Sequence, residues 1–321
     1  MKVGLFTSAR NEGAYLLEWI AYNRMIGFGP ILVITNDCDD ASDVLLDRLA
    51  DSGILHHAPQ VLETGEAPVA AAADKGYGHP SLESAEWLMW MDPDEFLRLP
   101  EAGQSVQDLV AGLGGADGIC LNWKCFGDGG FDSWTPDLVT QRFTMRAEDS
   151  FSRHAMFKTL FRKSEDIRGF GIHRPFLHGR FRDASGRYLV NGAGQKMHDD
   201  VYRTGQWKRH ALGSLPQDMI AFDRGAIHHY PTKTYDCYQV KKQRGQGLRG
   251  VRTENYNSRY TDRYWNVYNQ NAVEDTSMRA LGHALEAQVA ELRALPGVAE
   301  AADTCLAIFR AKIEALQKVD A

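Results

Sequence analysis

The chain lacks several features that would place it in a class at once. Its five cysteines are an odd number and form no C-x-x-C pair. That argues against a disulfide framework or a structural zinc site and suits a reducing compartment. No uncharged apolar run approaches the roughly 18 residues of a membrane span. Met1-Lys2 passes directly into Val3-Gly4-Leu5-Phe6-Thr7, too short an apolar core for a signal peptide, so a soluble cytoplasmic protein is expected. There is no internal repeat and no low-complexity tract. Excess positive charge is missing too: 36 Lys and Arg against 42 Asp and Glu leave a net charge of −6, which excludes a globally basic nucleic-acid binder. What the 321 residues do contain is 44% apolar and 24% charged side chains, an ordinary globular mixture long enough for a full core.

Strand and helix signals alternate over the first hundred residues. Val3–Thr7 is a short apolar run suited to a buried strand, and a helix pattern follows from about Gly13 to Ile26. Gly27 and Gly29-Pro30 stop it. Pro30–Thr35 reads as a second strand, Asp40–Asp43 as the start of a helix carrying Leu45 and Leu49, Ile54-Leu55 as a third strand, and Trp87–Met91 as a fourth. Such alternation implies a parallel sheet covered by helices. Further on, Gly118–Trp123 and Lys158–Arg162 read as strands and Arg182–Tyr188 as a hairpin. Leu281, Leu285, Val289 and Leu292 share one helical face, and after Pro296-Gly297 a second helix carries Leu306, Phe309, Ile313 and Leu316.

The chemistry-bearing residues gather where these strands end. Asp92-Pro93-Asp94-Glu95 follows the fourth strand, where open α/β sheets place ligands. Two carboxylates one residue apart can hold a hard divalent cation that neutralises a diphosphate; equally, Pro93 could make this a plain surface turn. A haloacid-dehalogenase-type phosphatase would want Thr where Phe96 stands, so that reading fails. Arg10-Asn11-Glu12 ends the first strand, either to bind a base or ribose or to cap the helix. Asn36-Asp37-Cys38-Asp39-Asp40 ends the second, with an Asx turn as its simpler explanation. All three segments fall at the carboxyl ends of successive strands of one sheet, which chance capping does not predict.

At this point the chain resembles the family 2-like glycosyltransferases with the GT-A fold, a group related to glycosyltransferase family 92. The resemblance rests on Arg10-Asn11-Glu12, Glu18-Trp19-Ile20-Ala21-Tyr22, Asn36–Asp40 with Cys38 in place of the usual serine, and Asp92-Pro93-Asp94-Glu95-Phe96. It continues through Asn122-Trp123-Lys124-Cys125-Phe126-Gly127-Asp128-Gly129-Gly130, Lys158–Arg162 with Gly171–Pro175, and His228-His229-Tyr230-Pro231-Thr232-Lys233 with Lys241–Gly245. It therefore covers about residues 1–250 in order.

The resemblance implies a GT-A-like, Rossmann-like α/β fold with a mostly parallel sheet flanked by helices. The glycosyltransferase domain would occupy 1–235, split near residue 100 into nucleotide and acceptor halves, and 236–321 would be a basic segment and helical extension. It implies transfer of a sugar from a nucleotide-diphosphate sugar, foremost a UDP-sugar, to a glycan or other hydroxyl acceptor. That transfer would be metal-dependent, inverting and of the kind used in cell-surface polysaccharide synthesis. Asn11, Glu12, Asn36, Asp40, Asp92 and Lys233 would bind the donor, and Asp92, Asp94 and His229 would hold Mn²⁺ or Mg²⁺. Adjacent His228 and His229 cannot both point inward from one strand, so one is structural. The basic stretch Lys241, Lys242, Arg244, Arg249 and Arg252 would face the diphosphate, or else solvent or the inner face of an acidic membrane. The C-terminal helices would meet the sheet domain or a second copy of the chain.

An inverting reaction needs a base on the acceptor side. The candidates are His173 and Asp128, followed by Asp132 and Asp199 or Asp200. A sugar nucleotidyltransferase is the competing enzyme class, but its glycine-rich G-G-x-G-T-R segment is absent at Ser8–Glu12. A non-catalytic nucleotide- or glycan-binding module is the alternative outside enzymology.

Overall fold

The computed structural model describes every residue except 179–180, 182–185, 199–213, 255–258 and 320–321. The Arg182–Tyr188 hairpin and the candidates Asp199 and Asp200 therefore lie largely or wholly outside the described residues.

The chain begins β1 (Val3–Ala9), α1 (Gly13–Met25), β2 (Ile31–Thr35), α2 (Ser42–Asp51), β3 (His56–Pro59), α3 (Pro68–Tyr77), β4 (Trp87–Trp90) and β5 (Glu95–Arg98). β1, β2 and β4 are almost wholly buried, as apolar runs in a two-sided parallel sheet must be. The third strand starts at His56 rather than at Ile54-Leu55, because the Ile54 amide still closes α2 by donating to the Leu49 carbonyl at 2.9 Å. Gly53, at φ +71°, makes that turn.

The second half adds α4 (Val106–Ala111), β6 (Gly118–Cys125), α5 (Val139–Arg142), β7 (Met145–Arg146), β8 (Phe157–Arg162), β9 (Ile167–Gly169), β10 (Phe176–Leu177), β11 (Leu189–Val190) and β12 (Ala226–His229). It ends with α6 (Tyr235–Arg244), α7 (Asp262–Tyr268), β13 (Val273–Glu274), α8 (Gly282–Arg293) and α9 (Val298–Val319). Among the described residues the main sheet runs β3-β2-β1-β4-β8-β6-β12-β5, with β11 beside β6. Pairing is parallel through β3-β2-β1-β4 and at β6-β12 and β6-β11. β8 runs antiparallel to both its neighbours, and β5 antiparallel to β12 at the edge.

The D-x-D turn shapes this sheet. Four residues separate β4 from β5, yet β8, β6 and β12 lie between those strands. In a flat sheet the gap would be roughly 19 Å, more than the ~17 Å such a link spans when fully extended. The sheet therefore curls. Curling brings the end of β12 onto the turn, where the Tyr230 amide donates to the Asp94 carbonyl at 2.9 Å and His229 pairs with Glu95.

One core lies between the sheet and α1, where Leu16, Trp19 and Ile20 are fully buried; the other, under α3, contains Phe6, Leu88 and Phe161. The apolar stripe of α8 and α9 joins the first core through Leu285, Leu292, Phe309 and Ile313, while Leu281 and Leu316 are half-buried against it. Phe309 meets the ring of Tyr15 at 5.4 Å. α1, α2 and α6 of the same chain thus pack against this helical pair. No described helix is long and apolar enough to cross a membrane.

Candidate functional site

One cleft opens along the carboxyl ends of the strands. It is lined by Ser8, Ala9, Arg10 and Glu12 after β1, Asn36 after β2, Asp92–Asp94 after β4, Trp123 on β6 and His229 on β12. From the other side come Met156, His173, Lys241 and Arg244 of α6, Gln246–Leu248, Arg259, and the tyrosines 260, 264 and 268. Sheet order therefore sets the sequence of groups: Asn36 and Glu12 at one end, the two aspartates in the middle, Trp123 and His229 at the other. The cleft draws Lys241, Arg244 and Arg259 from beyond residue 235, so the expected boundary there would divide the site.

Asp92 is half-exposed. Its Oδ2 accepts from the Lys158 ammonium at 3.1 Å, and its amide donates to Glu95 Oε2 at 2.8 Å. Lys158 is fully buried and lies 3.0 Å from Glu95 Oε2 as well. Burial would lower the lysine's pKa, but Asp92 and Glu95 outweigh it and hold it above the ordinary value. Burial pushes the Glu95 carboxyl up to about 8, against the opposing pull of Lys158.

Asp94 is buried yet ionised. Burial opposes its charge, but Lys241, then His229 and Lys233, hold it well below the usual carboxylate range. The Lys241 ammonium donates to its Oδ2 at 2.7 Å, and His229 Nε2 lies 3.7 Å from its Oδ1. Burial pushes His229 down to about 3, only partly offset by Asp94, so the imidazole is neutral at physiological pH. Its Nδ1 is buried with no hydrogen-bond partner among the described residues. His228 points to the other face, where its ring packs on Phe126.

These groups suit a hard divalent cation: carboxylate oxygens and a neutral, underused imidazole. Among the described residues no three ligating side chains converge on a point. Mg²⁺ and its like, however, take one or two carboxylates and complete their shell with substrate phosphates and water. The obstacle is the ammonium of Lys241, already on Asp94.

His173 lines the cleft beside Trp123, ring centroids 5.6 Å apart. Its Nδ1 lies 2.9 Å from the Phe157 carbonyl, which can only accept, so Nδ1 carries the proton and Nε2 is left as the acceptor. Burial, then the charge of Lys158, holds its pKa well below the ordinary value. At the opposite end Glu12 is paired with Arg244, and the buried Asn36 amide donates to Asp37 at 3.0 Å.

Other expected residues stand elsewhere. Asp40 is spent on the backbone: Oδ2 accepts from the Gly13 amide at 2.8 Å and Oδ1 from Ser42 at 3.0 Å, so it orders the start of α1 and α2 instead of contacting a ribose. Asn11, at φ +53°, accepts from the Asp39 amide at 2.8 Å and lines only a small adjoining cavity. Lys233 is buried there too, 4.3 Å over the ring of Tyr15 and bonded to the Tyr230 carbonyl at 3.2 Å. Asp128 is outside the cleft, its oxygens holding the amides of Asn269 at 2.7 Å and Asn271 at 2.9 Å; a clamped loop anchor is not placed to be a base. Of the basic stretch, Lys241 and Arg244 face inward. Lys242 is half-exposed, 3.9 Å from Asp262, and Arg252 reaches Asp37 at 3.6 Å.

Sequence reasoning overlooked Arg259 and the row Tyr260, Tyr264 and Tyr268. Their spacing of four is a one-face helical signal, and Tyr264 stacks on Tyr268 with centroids 4.5 Å apart.

No protein-family model matches the chain. A glycosyltransferase family 92 protein of Ricinus communis is 28% identical over 149 residues, 44% of this chain and 25% of that protein. One of Oryza sativa subsp. japonica is 31% identical over 107 residues, 32% of this chain and 17% of that protein. The chain thus spans at most a quarter of the length of these relatives. Among solved structures, S. aureus TarS 1-349 in complex with UDP is 12% identical with a TM-score of 0.34, covering 99% of this chain and 92% of that one. Glucosyl-3-phosphoglycerate synthase from Mycobacterium tuberculosis, in complex with Mg²⁺ and UDP, is 12% identical with a TM-score of 0.32, covering 72% and 87%. Over these stretches the chain is similar in sequence to glycosyltransferase family 92 proteins, and its sheet is mostly parallel and flanked by helices, the α/β arrangement that the alternating strand and helix signals implied.

Proposed function

We propose that the chain is a glycosyltransferase that moves a sugar from a nucleotide-diphosphate sugar, foremost a UDP-sugar, to a glycan or other hydroxyl acceptor with inversion. One observation carries this: the ends of β1, β2 and β4 share a single cleft with the cations of α6, in an order that matches base, diphosphate and acceptor. Asn36 and Glu12 would meet the nucleoside. Asp94 and His229, with Asp92 beside them, would hold a Mn²⁺ or Mg²⁺ whose charge neutralises the diphosphate. His173 Nε2 would take the proton of the acceptor hydroxyl as its oxygen forms the new bond to the anomeric carbon. The old bond to the diphosphate breaks with its electron pair leaving on oxygen, and Lys241, Arg244 and Arg259, which line the cleft, would stabilise that charge. A cytoplasmic location is part of this proposal.

The test is a thermal-shift panel of UDP-, GDP- and dTDP-sugars with and without Mn²⁺, followed by NMR of the product anomer. A UDP-sugar should raise the melting temperature in a Mn²⁺-dependent way, and the product should have the inverted configuration. No shift from any nucleotide sugar contradicts the donor site, and retained configuration contradicts the single-base mechanism.

A further inference from the structure

The mouth of the cleft is held by cations that a simple metal site would not need. Lys241 and Arg244 lie one turn apart on α6, so both side chains leave the same helix face. Arg244 takes Glu12 at the end of β1; Lys241 takes Asp94 at the end of β4 and donates also to the Pro231 carbonyl at 2.9 Å. The carboxylate that a divalent cation requires therefore already carries an ammonium on its Oδ2, with Oδ1 toward His229. Two cations on one buried carboxylate repel each other, so the ammonium weakens the binding of a divalent cation beside it.

Resting on the donor site proposed above, we propose that Lys241 is the resident counter-ion of Asp94. In the nucleotide-free chain its ammonium fills the place of the divalent cation, and an incoming diphosphate draws it away, so that cation and donor bind together. The exchange has a physical driver. Withdrawn with no new partner, the Lys241 ammonium would sit desolvated near Arg244 and Lys233, whose like charges act on it or its neighbours. Diphosphate oxygens give it that partner and free Asp94 for the cation. Lysine suits the task, since its point charge rides on a flexible stem while an arginine fork demands fixed geometry. Lys241 is thus a positioning residue that couples two ligands.

The coupling is measured by titrating the full chain with Mn²⁺ alone and with UDP, reading free Mn²⁺ by electron paramagnetic resonance. The wild type, Lys241→Met and Lys241→Arg are compared, with circular dichroism to confirm folding. The wild type should bind Mn²⁺ weakly alone and at least about tenfold more tightly with UDP, within the usual range for coupled sites. Lys241→Met should bind Mn²⁺ alone about tenfold more tightly than wild type and lose most of the UDP effect; Lys241→Arg should keep weak binding. Equal Mn²⁺ affinity in wild type and Lys241→Met, with UDP coupling intact, overturns the counter-ion role and leaves the donor site standing. No binding of Mn²⁺ or UDP to any form overturns both. If Lys241→Met does not fold, the wild type decides. Mn²⁺ must raise UDP affinity by the factor by which UDP raises Mn²⁺ affinity, and a Mn²⁺ affinity indifferent to UDP overturns the exchange.

Discussion

The ammonium of Lys158 lies 3.0 Å from Glu95 Oε2 where neither side chain touches solvent. With the 3.1 Å contact of the same ammonium to Asp92 Oδ2, this pair ties β8 to the turn that carries Asp92 and Asp94. Removing Lys158 leaves both carboxyls it serves without their buried cation, a loss of the kind that costs about 3–5 kcal/mol. Lys158→Met should therefore destabilise the chain by that order in urea unfolding. A loss under 1 kcal/mol would mean that the contacts of Lys158 with Glu95 and Asp92 hold the turn only weakly.

His173 is held neutral by burial, so its lone pair persists into mild acid. A base titrates out only as pH falls through its own pKa, and here that pKa lies below the ordinary 6.5. Transfer to acceptor should therefore show no histidine limb between pH 8 and 6.5. His173→Ala should abolish transfer while nucleotide binding persists. Native transfer by that variant would make His173 structural.

His228 bears on stability in the same pH region. Burial pushes its folded pKa down to about 3, so the unfolded chain binds the extra proton between roughly 6.5 and 3. Stability contributed by the neutral ring is present above 6.5 and is lost as pH falls. The melting temperature should drop steadily below pH 6.5, and less so in His228→Phe. An unchanged acid slope would show that other groups govern it.

Phe309 anchors α9 on Tyr15 of α1. Phe309→Ala should cost about 3–5 kcal/mol, the usual range for a large core truncation. Deletion of 276–321 should expose the apolar stripe and cause aggregation. A monomeric, fully active truncation would contradict the shared core.

What the sequence revealed, and what it hid, follows from how local each signal is. β1, β2 and β4 were legible because apolar runs ending in polar clusters need only neighbours in sequence to be read. Asp40 and Asp128 look like ligands in a string of letters, but their oxygens are spent on amides that only the fold brings near. Lys241 and Lys242 are adjacent and chemically alike, yet the helix turns one toward Asp94 and the other outward. The curl that sets His229 against Asp94 comes from a short link spanning three intervening strands, which no local pattern encodes.

The central claim is that Asp94 anchors a metal-dependent nucleotide-diphosphate site. Titration calorimetry of UDP against the wild type and Asp94→Asn, each with and without Mn²⁺, tests it most directly. The account predicts Mn²⁺-dependent UDP binding in the wild type and loss of that dependence in Asp94→Asn. Equal UDP affinity in the two proteins, with the same response to Mn²⁺, would contradict it.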